Sequence, residues 1–201
     1  VQHHEAGRLS EADGIYQKIL QADANHPVAL HLHGVIADQV GNKEAAIELI
    51  QKALVISPEY AVAHCNLGNI LKSLGKLEGA ISHYQQAIRI TPDYLDAHNN
   101  LGNTFYELGR HNEAIFNFQT ALRINPGSAA TYNNLGSALR SLGRQEEALE
   151  RYGKAIDIDP HYADAHSNIG NILEELGEFE QAVDYCQKAV DLNPGHPGAH
   201  N

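Results

Sequence analysis

Asparagine is the residue of this sequence whose spacing most clearly suggests binding chemistry. One series of asparagines recurs at steps of 34 residues, and a second series three residues later is broken only by Ser137. Residues three apart on a helix are neighbours, so the two series predict a ladder of side-chain amides. Each amide has donors and an acceptor and can therefore hold the N–H and C=O groups of a peptide. The expected binding residues, including two that lie one place earlier, are Asn66, Asn69, Asn99, Asn100, Asn103, Asn133, Asn134, Asn168 and Asn171.

The same asparagines also allow a structural interpretation. Asparagine is a mediocre helix former that costs up to about 0.7 kcal/mol relative to alanine, so its recurrence needs a reason. The amides can grip the backbone of a bound ligand, or they can bridge one repeated segment to the next. The sequence leaves both interpretations open.

Thirteen histidines raise the question of a metal site, which requires several ligands that converge on one ion. One histidine series recurs at the 34-residue step or twice that step, which leaves a single member in each segment: His64, His98, His166 and His200. His31 and His33 are two apart and therefore point to different sides of a helix. The sequence predicts no metal site and no cofactor.

Catalytic groups are equally hard to assemble from the sequence. Serine lies beside histidine at Ser82–His83 and at His166–Ser167, but catalytic triads are built from residues that meet in three dimensions. The glycines stand singly and do not form a phosphate-binding loop. We expect no catalytic residue in this chain, and a binding protein rather than an enzyme.

The 34-residue step defines an internal repeat. Two glycine series, one proline series and one alanine series keep it in phase, and coincidence does not produce such agreement. The full units are 27–60, 61–94, 95–128, 129–162 and 163–196. Residues 1–26 are expected to end an earlier unit and residues 197–201 to begin another, so that 1–201 forms a single array.

Each unit has the pattern of two helices. Over 61–74 apolar residues recur at spacings of three and four, which indicates a helix with one buried stripe. Gly75 ends this helix, and a second one over about 77–90 stops before Pro92. The short loops make neighbouring helices antiparallel. Gly68 lies in mid-helix, where glycine costs about 0.8–1.0 kcal/mol relative to alanine, so we expect the two helices of the pair to approach closely there, with Ala80 and Ala87 facing it.

These units resemble the tetratricopeptide repeat along nearly the whole chain. The residues of unit 95–128 that match the family pattern are His98, Leu101, Gly102, Phe105, Ala114, Phe118, Ala121 and Pro126. The resemblance implies an all-α fold, a right-handed superhelical solenoid of antiparallel helix pairs. It also implies that the first helices line a concave groove for an extended peptide or a partner helix. The implied function is protein–protein interaction, in a scaffold or recruitment role.

The charged residues on the first helices indicate the charge of the partner to be expected. Family members that grip a C-terminal carboxylate use basic residues at the second, fifth and sixth positions, and here the second and fifth positions hold none. Lys72 and Arg140 are the main basic residues on a face that is otherwise acidic. Its acidic residues are Asp96, Glu107, Asp164, Glu174 and Glu175. We therefore expect a neutral to basic protein or peptide as partner.

A second resemblance supplies an alternative function. The sequence over 97–103, and nearly that over 131–137, is similar to the repeat arm of protein O-linked N-acetylglucosamine transferases and their bacterial relatives. This resemblance implies a substrate-recognition arm whose catalytic domain would lie elsewhere in a larger glycosyltransferase.

Composition excludes other classes of partner. The formal charge of −11 argues against nucleic acid and against anionic membrane surfaces, both of which attract basic proteins. No apolar run approaches the roughly 18 residues of a membrane span. Cys65 and Cys186 are far apart in sequence and suit a reducing compartment, so we expect the cytoplasm.

The two ends of the chain carry a further expectation. The chain begins at Val1, contains no methionine, and stops within the repeat pattern, so we expect a fragment of a longer protein. A solenoid cut between repeats exposes apolar surface, which makes self-association through the ends a further expectation.

Overall fold

The computed structural model describes residues 9–193. Several sequence expectations fall outside this range: the start of a repeat at 197–201, the first residues of the incomplete unit 1–26, and His200 of the histidine series. The structural statements below concern the described residues.

Eleven α-helices and no strands occur between residues 9 and 193. They are α1 (Leu9–Ala22), α2 (Pro27–Gln39), α3 (Lys43–Ile56), α4 (Ala61–Ser73), α5 (Leu77–Ile90), α6 (Leu95–Glu107), α7 (His111–Ile124), α8 (Ala129–Ser141), α9 (Gln145–Ile158), α10 (Ala163–Glu175) and α11 (Phe179–Leu192). Each even-numbered helix begins a repeat, and the next odd-numbered helix completes it. The helices expected over 61–74 and 77–90 are found to within one residue.

The chain divides into two compact units, Val1–Ala97 and His98–Asn201. In the first unit α2 pairs with α3 and α4 with α5, and the pairs are joined through contacts of α1 with α2 and α3 with α4. In the second unit α8 pairs with α9 and α10 with α11, joined through α7 with α8 and α9 with α10. The single array over 1–201 remains a prediction.

A buried side chain of the second helix packs directly against the mid-helix glycine of the first. A Cβ atom on Gly68 would lie 2.6 Å from Cε1 of Tyr84, and one on Gly136 would lie 2.6 Å from Cε1 of Tyr152. Both tyrosines are completely buried. In the last repeat Cys186 takes the place of the aromatic ring, with its Sγ 2.5 Å from the Cβ position of Gly170. The mid-helix glycine is therefore required to admit this side chain.

The turn between the paired helices depends on a second glycine. Gly75 has a φ of 72°, a left-handed conformation that is strained for residues with a Cβ. Its N–H donates to the Lys72 carbonyl at 2.9 Å, and the N–H of Lys76 donates to the Leu71 carbonyl at 2.9 Å. These two bonds satisfy the last carbonyls of α4 and reverse the chain into α5.

A buried histidine joins two consecutive repeats in the first unit. His31 of α2 is 1% exposed, its Nδ1 lies 3.0 Å from the Tyr60 hydroxyl, and its Nε2 lies 2.9 Å from Nδ2 of Asn66. Because an amide nitrogen can only donate, Nε2 accepts, and Nδ1 donates its proton to Tyr60. Burial lowers the pKa of His31 from 6.5 to about 4, so the ring is neutral at pH 7.

Adding a methyl group at Gly136 should destabilise the fold. Gly136→Ala places a Cβ against the buried ring of Tyr152, and this overpacking outweighs the gain in helix propensity. We expect a net loss of about 1–2 kcal/mol in the free energy of unfolding, measured by urea denaturation.

Gly153→Ala is the matched control for this variant. Gly153 lies in α9 of the same repeat, and a Cβ there has nothing within 4 Å. This variant should be more stable by up to about 0.8–1.0 kcal/mol. Equal gains in the two variants would show that the Tyr152 ring does not require a glycine opposite it.

Stability should fall as the pH is lowered from 6.5 to 4. In this range the unfolded chain protonates His31 at its ordinary pKa while the folded chain does not, so protons favour unfolding. The contribution of His31 is complete above pH 6.5, decreases through the window by up to about 3 kcal/mol, and is constant below pH 4.

His31→Gln tests this assignment because glutamine can hydrogen-bond but does not titrate in this range. Denaturation measured from pH 4 to 8 should show a flatter profile for the variant. Some dependence remains, since burial also lowers the pKa of His64 and of His83. Profiles that are parallel throughout would contradict the role of His31.

Candidate functional site

The nine predicted asparagines lie on first helices, but they are less exposed than a ligand-binding ladder suggests. Asn69 is exposed, Asn133 is buried, and the other seven are half-buried. Two belong to α4 in the first unit, Asn66 and Asn69. The other seven belong to the second unit: Asn99, Asn100, Asn103, Asn133, Asn134, Asn168 and Asn171.

Asparagine at the sixth position of a repeat bonds to the repeat before it. Nδ2 of Asn134 donates to Oδ1 of Asn103 at 3.0 Å, and Nδ2 of Asn168 donates to Oδ1 of Asn133 at 2.9 Å. In the first unit Nδ2 of Asn66 donates to Nε2 of His31 in the same way. These amides bridge repeats, which is the structural role that the sequence left open.

Asparagines at the fifth and ninth positions of a repeat form further side-chain hydrogen bonds. Oδ1 of Asn99 accepts from the Thr131 hydroxyl at 3.0 Å, and Oδ1 of Asn69 accepts from the Tyr84 hydroxyl at 2.8 Å. Asn171 has no side-chain hydrogen bond to any described residue. Bridging does not exhaust an amide, because Asn168 uses one N–H and keeps a second N–H and its oxygen. The bridging role is therefore compatible with ligand binding.

A polar cavity opens beside these amides in the second unit. Its volume is about 350 Å³, and its lining residues are Tyr106, Ser137, Arg140, Ser141, Tyr152 and Asn168. Ser137 and Tyr152 bring their hydroxyls within 3.2 Å of each other. Arg140 forms an ion pair with Glu175 of the next first helix, and Gln145 donates to the same carboxylate at 2.9 Å. The cavity thus combines hydroxyl, amide and guanidinium groups with an aromatic ring.

The sequence placed Ser137, Arg140 and Asn168 on the face of the first helices but did not single out the other residues that line this cavity. Tyr106 lies on the polar face of α6 and is 37% exposed. The same position holds a charged residue in the other full units, and this contrast was the available signal. Tyr152 could not be recognised, because its ring fills the core while its hydroxyl reaches the cavity from the second helix.

The first-helix face of the second unit is acidic at its exposed positions. Four carboxylates stand there, namely Glu107, Asp164, Glu174 and Glu175. Arg140 is the basic residue at the corresponding positions of α6, α8 and α10, and Glu175 pairs with it. A cationic segment would therefore meet an attractive potential on this face.

Two histidines that the sequence did not connect lie together in the first unit. Nδ1 of His64 on α4 and Nδ1 of His83 on α5 are 2.9 Å apart. Equivalent pairs occur 19 residues apart in other repeats: Nδ1 of His98 lies 3.2 Å from Oδ1 of Asn117, and the ring of His166 lies against Tyr185. The spacing of 19 was the available signal. No group of three or more His, Cys, Asp or Glu residues in the described range could hold a metal ion.

None of the helices between residues 9 and 193 is both long enough and apolar enough to cross a membrane.

Family models of the repeat match most of the chain. One described as TPR repeat matches residues 68–109 and 136–177. Three described as Tetratricopeptide repeat match residues 95–128 and 163–196, residues 49–82 and 117–150, and residues 28–60. Together these ranges run without a gap from residue 28 to residue 196.

Solved structures of the same architecture resemble the chain closely. MamA is 27% identical with a TM-score of 0.76, over 80% of this chain and 94% of its own. YrrB, described as a TPR protein with an unusual peptide-binding site, is 23% identical with a TM-score of 0.77, over 92% and 95%. Pseudomonas aeruginosa PilF is 18% identical with a TM-score of 0.86, over 98% and 90%. The last two likenesses show the fold alone. A comparison with curated protein sequences gives no match.

The expected fold class, an all-α solenoid of antiparallel helix pairs, is confirmed by these structures and by the helices described above. The repeat resemblance seen in the sequence is confirmed by the family models. The chain therefore belongs to the tetratricopeptide repeat family, whose members are protein-interaction scaffolds and typically non-catalytic.

Proposed function

We propose that this chain is an interaction module that binds an extended, neutral to basic peptide segment on the first-helix face of its second unit. The observation that carries the proposal is the polar cavity of about 350 Å³ beside Asn168. Its size is at the lower end of the range of small-ligand pockets, about 300–1,000 Å³, and suits one side chain of a longer segment.

The chemistry of the cavity suits a peptide. The hydroxyls of Ser137 and Ser141 donate to the carbonyls of Asn133 and Ser137, so towards a ligand they can accept from a backbone N–H. The amide of Asn168 keeps one N–H and its oxygen, which can pair with a backbone C=O and N–H. The ring of Tyr106 offers apolar surface to the side chain that enters. Asn171 is half-buried and has no side-chain hydrogen bond within residues 9–193, and it extends the polar surface along α10.

The amides are oriented before any ligand arrives. Asn134 and Asn168 are held by hydrogen bonds to the preceding repeat, so binding does not have to immobilise them. Pre-organisation of this kind reduces the entropy lost on association. The bridging role of the asparagines thus supports the binding role instead of replacing it.

The acidic face sets the preferred charge of the segment. Four exposed carboxylates accompany one paired arginine on the first helices of the second unit. Attraction at such a surface is screened by salt, so affinity for a basic segment should fall as ionic strength rises.

The expected compartment, the peptide-binding role, the alternative function and self-association each rest on a separate observation. Cys65 and Cys186 are free thiols, in agreement with a reducing compartment such as the cytoplasm. YrrB carries a peptide-binding site on the same fold, although a likeness of 23% identity transfers no residue. The alternative, a recognition arm of a glycosyltransferase, rests on the sequence similarity over 97–103 and, less exactly, over 131–137. Self-association through the ends of the solenoid remains a proposal that sedimentation at several concentrations can test.

Selection from a random peptide library on the immobilised chain tests the proposal. Selected peptides should be enriched in lysine and arginine over aspartate and glutamate, and their affinity should fall between low and high salt. Asn171→Ala should weaken binding of a selected peptide about threefold to tenfold, the loss of one hydrogen bond, without lowering the melting temperature.

Two further variants separate binding from structure. Asn112→Ala changes an exposed asparagine on the second helix α7 and should leave affinity unchanged. Asn168→Ala removes a bridge and should reduce both stability and affinity. If Asn171→Ala binds as well as the unmodified chain and Asn168→Ala loses stability only, the asparagines are structural and the proposed site is wrong.

A further inference from the structure

Helices α4 and α5 bring two imidazole rings into direct contact in the first unit. The Nδ1 atoms of His64 and His83 are 2.9 Å apart, and the ring centroids are separated by 5.2 Å with an interplanar angle of 33°. Both side chains are half-buried, so they are held by the helix pair and remain within reach of solvent.

The hydrogen bonds around His64 fix the position of its proton. Its Nε2 lies 3.1 Å from the carbonyl oxygen of Pro58, and a carbonyl can only accept, so Nε2 carries the hydrogen. The lone pair of neutral His64 is therefore on Nδ1, where it accepts the Nδ1–H of His83. A ring whose far N–H is held by a backbone carbonyl is the usual arrangement of a metal-bound histidine.

We propose that His64 and His83 form a site for a divalent transition-metal ion, with zinc as the representative case. Zinc binds imidazole nitrogen at about 2.0–2.1 Å, which puts two tetrahedral ligands about 3.3 Å apart. The two Nδ1 atoms need to separate by a few tenths of an ångström, and the rings need to turn so that both lone pairs point at the ion. Water completes the coordination shell.

Binding requires one proton to change position and none to be lost overall. The proton on Nδ1 of His83 moves through solvent to Nε2 of the same ring, which frees the second lone pair. Each Nδ1 then forms one bond to zinc and displaces one water from the hydrated ion. The step starts from the arrangement that the hydrogen bonds define, in which His64 accepts at Nδ1 and His83 donates.

Charged neighbours of the pair act in opposite directions. Glu59 follows Pro58 in the chain and favours a cation at His64, whereas Arg89 disfavours one. These two residues form an exposed ion pair at 3.0 Å, so their effects partly cancel. The geometry of the two rings, not the local charge, is what supports the site.

Repeats 95–128 and 163–196 have a histidine at the position of His64, but a different residue faces it. His98 faces Asn117, whose carboxamide oxygen accepts from the histidine and offers no second nitrogen lone pair. His166 faces Tyr185, and its Nε2 likewise lies 3.0 Å from the carbonyl oxygen of Pro160. A second imidazole therefore distinguishes repeat 61–94 from these two. With two protein ligands the site is weaker than structural zinc sites, which have four.

Titration of the full chain with zinc chloride tests the inference, with His83→Asn as the matched variant. This substitution reproduces the His98–Asn117 pair and leaves every other histidine in place. Calorimetry should show one fewer zinc bound by the variant, or an affinity at least tenfold lower at one site. Zinc should raise the melting temperature of the unmodified chain more than that of the variant, and EDTA should abolish the difference.

Nitrogen NMR of the imidazole rings gives a readout that a purely structural pair would not change. Without metal, His83 should carry its proton on Nδ1, and with saturating zinc both rings should be in the Nε2–H form. A His83 ring that keeps its Nδ1 proton at saturating zinc overturns the inference. Equal zinc binding by His83→Asn and the unmodified chain also overturns the inference, provided that the melting curve of the variant in EDTA shows a folded chain. If His83→Asn does not fold, His64→Asn supplies the same comparison. The outcome is independent of the peptide experiment, which concerns the other unit.

Discussion

The fold depends on a missing side chain in the middle of each first helix. A side chain of the second helix occupies the space where a Cβ would stand: the rings of Tyr84 and Tyr152 at Gly68 and Gly136, and the thiol of Cys186 at Gly170. This contact sets how closely the two helices of a pair approach. The distance between the two helices in turn determines where the polar face and the facing histidines lie. Glycine weakens a helix by about 0.8–1.0 kcal/mol, and the buried ring more than compensates by the apolar area it removes from water.

Consecutive pairs are joined by polar groups as well as by apolar packing. The amides of Asn134 and Asn168 reach back to Asn103 and Asn133, while Asn66 reaches back to the buried ring of His31. One sequence position therefore makes the same kind of bond with different acceptors. Since half-buried polar groups need partners, these bonds help to fix how α4, α8 and α10 are each placed against the first helix of the preceding repeat. They also hold the amides in the orientation that a ligand would meet.

The helices and their pairing could be predicted from the sequence, because apolar spacing, mid-helix glycine and the glycine turn are local signals that recur at the 34-residue step. Asn168 could be assigned to a polar face for the same reason. The partner of each amide could not be predicted, because Asn66 and Asn168 have the same position yet bond to an imidazole and an amide. Tyr152 and His83 were missed because each lies on a second helix, and its contact depends on the register between two helices. For His83 this register is visible in the sequence only as the spacing of 19 residues from His64.

The hydrogen bonds between repeats also resist separation of the helices in the second unit. The hydrogen bond from Asn168 to Asn133 spans α8 and α10, so any force that pulls these helices apart stretches it. A peptide held by the amide of Asn168 would be bound to a side chain that this hydrogen bond positions. A peptide that binds best when this bond is intact would favour the bridged arrangement of α8 and α10, and by reciprocity a force that breaks the bond would weaken peptide binding.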